Sequence, residues 1–149
     1  MCCMSESVKL KFHLVMSSIG FIGGIAGCLV FYIVYSNFHA GTWSLLAGLM
    51  AVICFQFHVF YRFDTLDSHY NEKHLYYFRN LGIFMFLMAL IAIISYLVIS
   101  ATLGIPMLPV ETSLILASVQ AFLTLKWSIS VYYFSGFYSS KLQTAYTVA

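Results

Sequence analysis

His58 sits inside a long uncharged, apolar run and is the first residue here with chemistry in it. Cys54 lies four residues before it and Tyr61 three after, spacings that place thiol, imidazole and phenol on one helix face. These are the axial-ligand types used for haem iron. The same residues also read as an interfacial histidine bonded to a neighbour, with Tyr61 in the aromatic belt of a membrane helix. Lys126 is the second such residue. An ammonium in hydrocarbon costs at least about 2.5–3.5 kcal/mol on insertion scales, so it must face an interior, line a cavity or snorkel. It falls about 20 Å into its apolar run at 1.5 Å per residue, past the midplane. From there it either reaches the headgroups or pairs a carboxylate on a polar pathway. Gln120, Thr124, Ser128 and Ser130 make this run the most polar of the chain, and Lys126, Ser130 and Tyr133 share a face.

The remaining histidines read as follows. His39 falls in a short polar stretch between two apolar runs. His69 and His74 fall in a longer polar stretch with Tyr70, Tyr76 and Tyr77, and His13 precedes the first apolar run as an interfacial residue. Histidines on both sides of a membrane and one within it suit a metal or proton relay; solvated loop residues are the plainer reading. Cys2 and Cys3 lie near a basic segment, a pattern compatible with palmitate. No HExxH, GxSxG or Walker loop occurs, so no enzymatic constellation is visible. Fourteen Phe, eleven Tyr and two Trp serve bundle packing or line a pocket for a flat apolar ligand.

The elements that must position these residues follow from charge. Of 149 residues, 62% are hydrophobic and 8% charged, against about 25% charged in a typical soluble domain. The fifty residues between Lys11 and Arg62 carry no charge, nor do Asn80 to Val110, and only Lys126 interrupts the run from Glu111 to Lys141. No water-facing surface can be built from such stretches, which excludes a soluble enzyme, a nucleic-acid binder and a disordered regulator. Helical spans need roughly 20 apolar residues, and four segments supply them, at about 14–35, 43–61, 81–103 and 113–134. The expected fold is an all-α integral membrane protein, one domain of four transmembrane helices in a compact bundle. Lys9, Lys11, Arg62, Lys73, Arg79 and Lys141 flank the spans on one side, while Ser36–Thr42 and Gly104–Thr112 hold no Lys or Arg. Basic flanks stay inside, so both termini and the central loop 62–79 are expected in the cytosol, with a short C-terminal tail. Lys9, Lys11 and Ile25-Ala26-Gly27-Cys28 imitate a lipoprotein signal, but the apolar run continues past Cys28 and reads as a signal anchor. In the first span Gly20, Gly23, Gly24 and Gly27 form two overlapping GxxxG patterns. They serve close packing within the bundle, or a homo-oligomer contact through the Gly20/Gly24/Gly27 face.

Three short segments carry a family resemblance. Tyr35 is followed by Gly41-Thr42 and Leu46-Ala47-Gly48. His58-Val59-x-Tyr61-x-x-Asp64 closes the second span. Phe122-x-x-x-Lys126-Trp127 precedes Phe134-Ser135-Gly136-Phe137-Tyr138. Together these resemble the small four-span haem transporters of the heme-responsive-gene type, solute carrier family 48, over most of the chain at a distant level. In that family the segment like the one around His58 carries an intramembrane histidine implicated in haem binding. The segment at 134–138 stands where the family has an aromatic-basic-aromatic motif. Here Gly136 and Phe137 replace the basic residues, so only Phe134 and Tyr138 carry over. Some members place a histidine in the second outer loop; this chain has none there, and His39 is the candidate substitute.

The resemblance implies a transporter that moves haem, as substrate, from the extracellular or endosomal/lysosomal lumen to the cytosol, at an endosomal, lysosomal or plasma membrane. His58, with Tyr61, would contact the iron. The aromatics would receive the macrocycle, Lys126 would neutralise a propionate, and Tyr138 would act at the cytosolic exit. Protonation of His39 would suit an acidic donor compartment. Two rival readings are a four-span scaffold without transport and a proton-coupled carrier of another small solute using Lys126 and His58 as its titrating pair.

Overall fold

The computed structural model describes residues 6–148; Cys2 and Cys3 lie outside the described residues. Helix α1 covers Glu6–Leu29 and runs on into a π-turn at Val30–Val34. It is followed by α2 (Phe38–Arg62), the single turn α3 (Leu66–His69), α4 (Glu72–Leu103), a 3₁₀ turn at Val110–Thr112, and α5 (Leu114–Val148). Four of these, α1 with its π-turn, α2, α4 and α5, are long and apolar enough to cross a membrane.

Each expected span corresponds to one of these helices, but the helices outrun the apolar segments. Intrahelical hydrogen bonding satisfies the backbone whether the side chains are apolar or polar, so a helix ends at a cap and not where hydropathy falls. Helix α2 starts at Phe38 because Asn37 caps it, its side-chain oxygen accepting from the Ala40 amide at 3.0 Å. The side-chain amide of Asn37 also donates to the Val110 carbonyl at 2.7 Å and the Ser113 carbonyl at 3.1 Å, tying the two connections at this end together. His39, read from the sequence as a loop residue, therefore stands in the first turn of α2. Helix α4 starts at Glu72, within the expected central loop, and ends where expected, at Gly104 in the left-handed conformation (φ 61°), as a C-terminal glycine allows. Helix α5 continues past Phe134 to Val148, so Tyr138 is a helical residue and not part of a tail.

Packing follows the order α1, α2, α5, α4. The inner helices bury 44% (α2) and 39% (α5) of their most apolar stretch; the outer ones bury 11% (α1) and 17% (α4). The outward faces are lined by residues such as Ile19, Ile22, Ile33, Ile91 and Leu97, the composition lipid contact requires. Small residues on the inward faces let the backbones approach. On α5 the buried positions Ala117, Ala121, Thr124, Ser128, Val131, Ser135, Tyr138 and Leu142 recur at spacings of four and three, one straight stripe. Thr124 hydroxyl crosses to the Trp43 carbonyl of α2 at 2.9 Å. Gly82 of α4 fits against the α5 backbone, where an added Cβ would stand 2.9 Å from the Tyr132 nitrogen.

The glycines of α1 are occupied within the chain. A Cβ on Gly24 would strike the Gly48 backbone, one on Gly27 the Ser44 hydroxyl, and one on Gly20 the Trp127 indole. The Ser44 hydroxyl donates to the Gly24 carbonyl at 3.1 Å. The Gly20/Gly24/Gly27 face thus makes internal contacts of α1 with α2 and α5, the close packing within the bundle that the spacing suggested. Of the four α1 glycines, Gly23 alone has open space around its Cβ position. Gly24→Leu is expected to lower stability by about 1–3 kcal/mol or more, the usual cost of overpacking, while Gly23→Ala is near neutral. Thermal unfolding of the detergent-solubilised variants, followed by helical circular dichroism, measures both.

Candidate functional site

The ends of α1, α2 and α5 that carry Lys9, Arg62 and Lys141 enclose a cavity of about 250 Å³. It is lined by Lys9, Leu10 and His13 from α1, His58 and Tyr61 from α2, and Tyr133, Phe134, Phe137 and Tyr138 from α5. Three helices contribute because α2 forms the floor while α1 and α5, both packed against it, leave a seam between them.

His58 is the centre of this wall. It is 2% exposed, and its Nδ1 lies 2.8 Å from the Tyr138 hydroxyl. Phe134 meets the imidazole edge-on at 4.4 Å between centroids, and Tyr138 lies tilted against Tyr61 at 4.9 Å. His13 stacks on His58, with ring centroids 5.4 Å apart and planes at 20°, and contacts Phe134 edge-on at 5.0 Å. No side-chain nitrogen or oxygen fully buried among the described residues lacks a hydrogen-bond partner. Among the described residues His58 Nε2 has no hydrogen-bond partner, and it is not a fully buried atom, so on a residue that lines the cavity it is open to that space. When Nδ1–H donates to the Tyr138 oxygen, Nε2 keeps its lone pair free and pointed by a fixed ring; this is how outer partners orient a ligating histidine. The chemistry available is therefore a preoriented imidazole donor among aromatic faces, with Lys9 among the lining residues.

Four of the six candidates, His58, Tyr61, Phe134 and Tyr138, come together here. Tyr138 is buried against His58 in the wall of the cavity, because α5 and its buried stripe extend that far. Cys54 departs from the expected shared face: it is fully buried in the apolar core with Phe57, Leu75 and Val131, and does not line the cavity. Lys126 lines a second cavity, of about 300 Å³, further along the same seam of α1 and α5, with Gly20, Gly23, Gly24 and Trp127. Its ammonium stands 3.4 Å from the centroid of the Trp127 ring, a cation–π contact.

His39 is nowhere near His58. They stand nineteen positions apart on α2, about 28 Å along the axis. At the far end Trp43 Nε1 donates to the Tyr96 hydroxyl at 3.1 Å. The Tyr96 hydroxyl in turn reaches His39 Nδ1 at 3.2 Å, holding α4 to α2. The relay of histidines does not assemble. His69 stacks on Phe60 at 4.3 Å and bonds the Thr65 carbonyl at 3.0 Å, and among the described residues no three His, Cys, Asp or Glu side chains come together. In the short connection between α3 and α4, Tyr70 donates to Gln56 Oε1 at 3.2 Å. Burial pushes its phenol above the usual range, so it remains a donor at neutral pH.

Two residues of the site escaped the sequence reading, Lys9 and His13. The signal for His13 was present. It lies seven residues before Gly20 and fourteen before Gly27, the heptad spacing that keeps positions on one packed face.

By helix length and composition the chain is a multi-pass membrane protein with four apolar helices. No family model, curated protein or solved structure matches it, so the likeness to haem transporters rests on the residues themselves. Tyr138→Phe leaves His58 Nδ1 without its partner and is expected to cost about 1–3 kcal/mol, the penalty of an unsatisfied buried polar group. Chemical denaturation in detergent, compared with a Tyr133→Phe control, reads that loss.

Proposed function

We propose that this protein is a transmembrane haem transporter that carries haem toward the cytosol. The observation that carries the reading is the cavity in which His58, held by Tyr138, offers a free Nε2 among Tyr61, Phe134 and Phe137. Iron takes an imidazole nitrogen, and aromatic rings favour offset or edge contacts with a flat macrocycle. At about 250 Å³ the cavity is below the roughly 300–1,000 Å³ that encloses a drug-sized ligand. It therefore seats the iron-bearing part of the porphyrin and leaves an edge in the seam between α1 and α5. Lys9 on one side and Lys126 further along the seam are the cations within this path that suit propionates. With the basic flanks of all four helices read as cytosolic, the cavity opens at the side where cargo is released. His39, at the opposite end, faces the lumen or the exterior.

The reading as a proton-coupled carrier asks His58 and Lys126 to act as a pair, and they line separate cavities. A scaffold needs no donor reachable from a cavity.

Haem-deficient cells at limiting external haem, expressing the chain at verified surface and endosomal levels, are expected to grow. His58→Ala at matched levels is expected to lose most of that growth. Tyr138→Phe should weaken haem binding roughly ten- to a hundredfold, as loss of an outer partner does at metal sites. Absence of rescue by the parent chain at the correct membrane would transfer the assignment to the scaffold.

A further inference from the structure

His13 has no part in the reading above, yet the fold delivers it to the same place. It projects from the glycine face of α1, whose Gly20, Gly24 and Gly27 are pressed onto Trp127, Gly48 and Ser44. Its ring lies parallel to that of His58 at 5.4 Å, lines the same cavity, and has neither nitrogen in a hydrogen bond with a described residue. Lys9, one turn earlier on the same helix face, also lines the cavity. Helix α1 therefore brings an imidazole and an ammonium to the cavity from the side opposite α5.

We propose that His13 is a second iron ligand, and that the cavity is a two-imidazole site shared between α1 and α2 in which His13 and His58 hold the iron in turn. The inference rests on the haem reading and specifies its ligand set. The geometry selects alternation over simultaneous binding. The two ring centroids lie only 5.4 Å apart with planes at 20°, which leaves no room for a macrocycle between the imidazoles as they stand. Axial ligation from both faces of a porphyrin needs two nitrogens facing each other across the macrocycle. In the exchange the bond from iron to His58 Nε2 breaks as a bond to a His13 nitrogen forms. Both imidazoles act as neutral donors, so the iron keeps its oxidation state and no proton is transferred. Two modest ligands a ring's width apart allow release by steps, where one tight ligand would retain the cargo.

The test is absorbance titration of ferric haem into purified wild type, His13→Phe, His58→Ala and the double variant. Phenylalanine keeps a ring on His58 but has no donor nitrogen. The expected result is an imidazole-ligated Soret band in the wild type and in each single variant, lost in the double variant. Affinity in the double variant should fall at least about tenfold below that of His58→Ala. External imidazole should restore the band in the double variant, showing that a ligand and not the fold was removed. A His58→Ala protein with no ligated band, or a band that survives in the double variant, overturns the role of His13 and leaves haem binding by the wild type intact. A six-coordinate bis-imidazole spectrum in the wild type that either single variant abolishes overturns the alternation. A wild type with no ligated band takes down the haem reading itself, and this inference with it.

Discussion

Helices α1 and α2 meet with no side chain between them where Gly24 faces Gly48, and the placement of nearly everything functional depends on that approach. In hydrocarbon there is little hydrophobic gain in bringing two apolar helices together, so association relies on close packing and on hydrogen bonds between them. The glycine contact provides the first, and the Ser44 hydroxyl on the Gly24 carbonyl provides the second. Eleven residues before Gly24, three turns along the helix, the same face carries His13. Contact at the glycines thus determines which α1 side chain reaches His58.

The same logic runs through α5. Its buried stripe of Ala, Ser and Thr lets α2 and α4 close in from two sides, and most of its hydroxyls return to carbonyls of their own helix, as Ser128 does to Thr124 at 2.7 Å. Thr124 and Tyr138 cross to α2. Toward the end with Lys141 the stripe changes from small residues to Tyr138, and there the space between helices becomes a cavity with a polar wall. A packed seam and a binding site are two stretches of one surface, distinguished by side-chain size.

Function, in this reading, depends on what is held and what is left free. Tyr138 occupies one nitrogen of His58 and fixes its ring; the other nitrogen faces the cavity. Lys126 lies on the second cavity of the seam, its ammonium over Trp127, whose indole fills the notch at Gly20. The histidine at the opposite end is engaged with Tyr96 and Trp43, a contact that joins helices. Imidazoles of one chemical type thus have different work because their neighbours differ.

Charge and hydropathy alone determined that the chain has four apolar helices and where the apolar segments lie, because a bilayer imposes length and excludes charge over each span. His58, Tyr61, Phe134 and Tyr138 were also legible, from residue type and the family likeness. Helix ends were not, because caps and not hydropathy end a helix; this is why His39 and Tyr138 were expected in a loop and a tail. Nor was the membership of the site. One-dimensional spacing placed Cys54 with His58, yet the contact with α5 turns the thiol into the core and the imidazole to the cavity. His13 lay on the glycine heptad, but its meeting with His58, forty-five residues later, was decided only when α1 docked on α2. A pattern along one helix defines a face; which face it meets is a property of two helices, and that the tertiary structure alone decides.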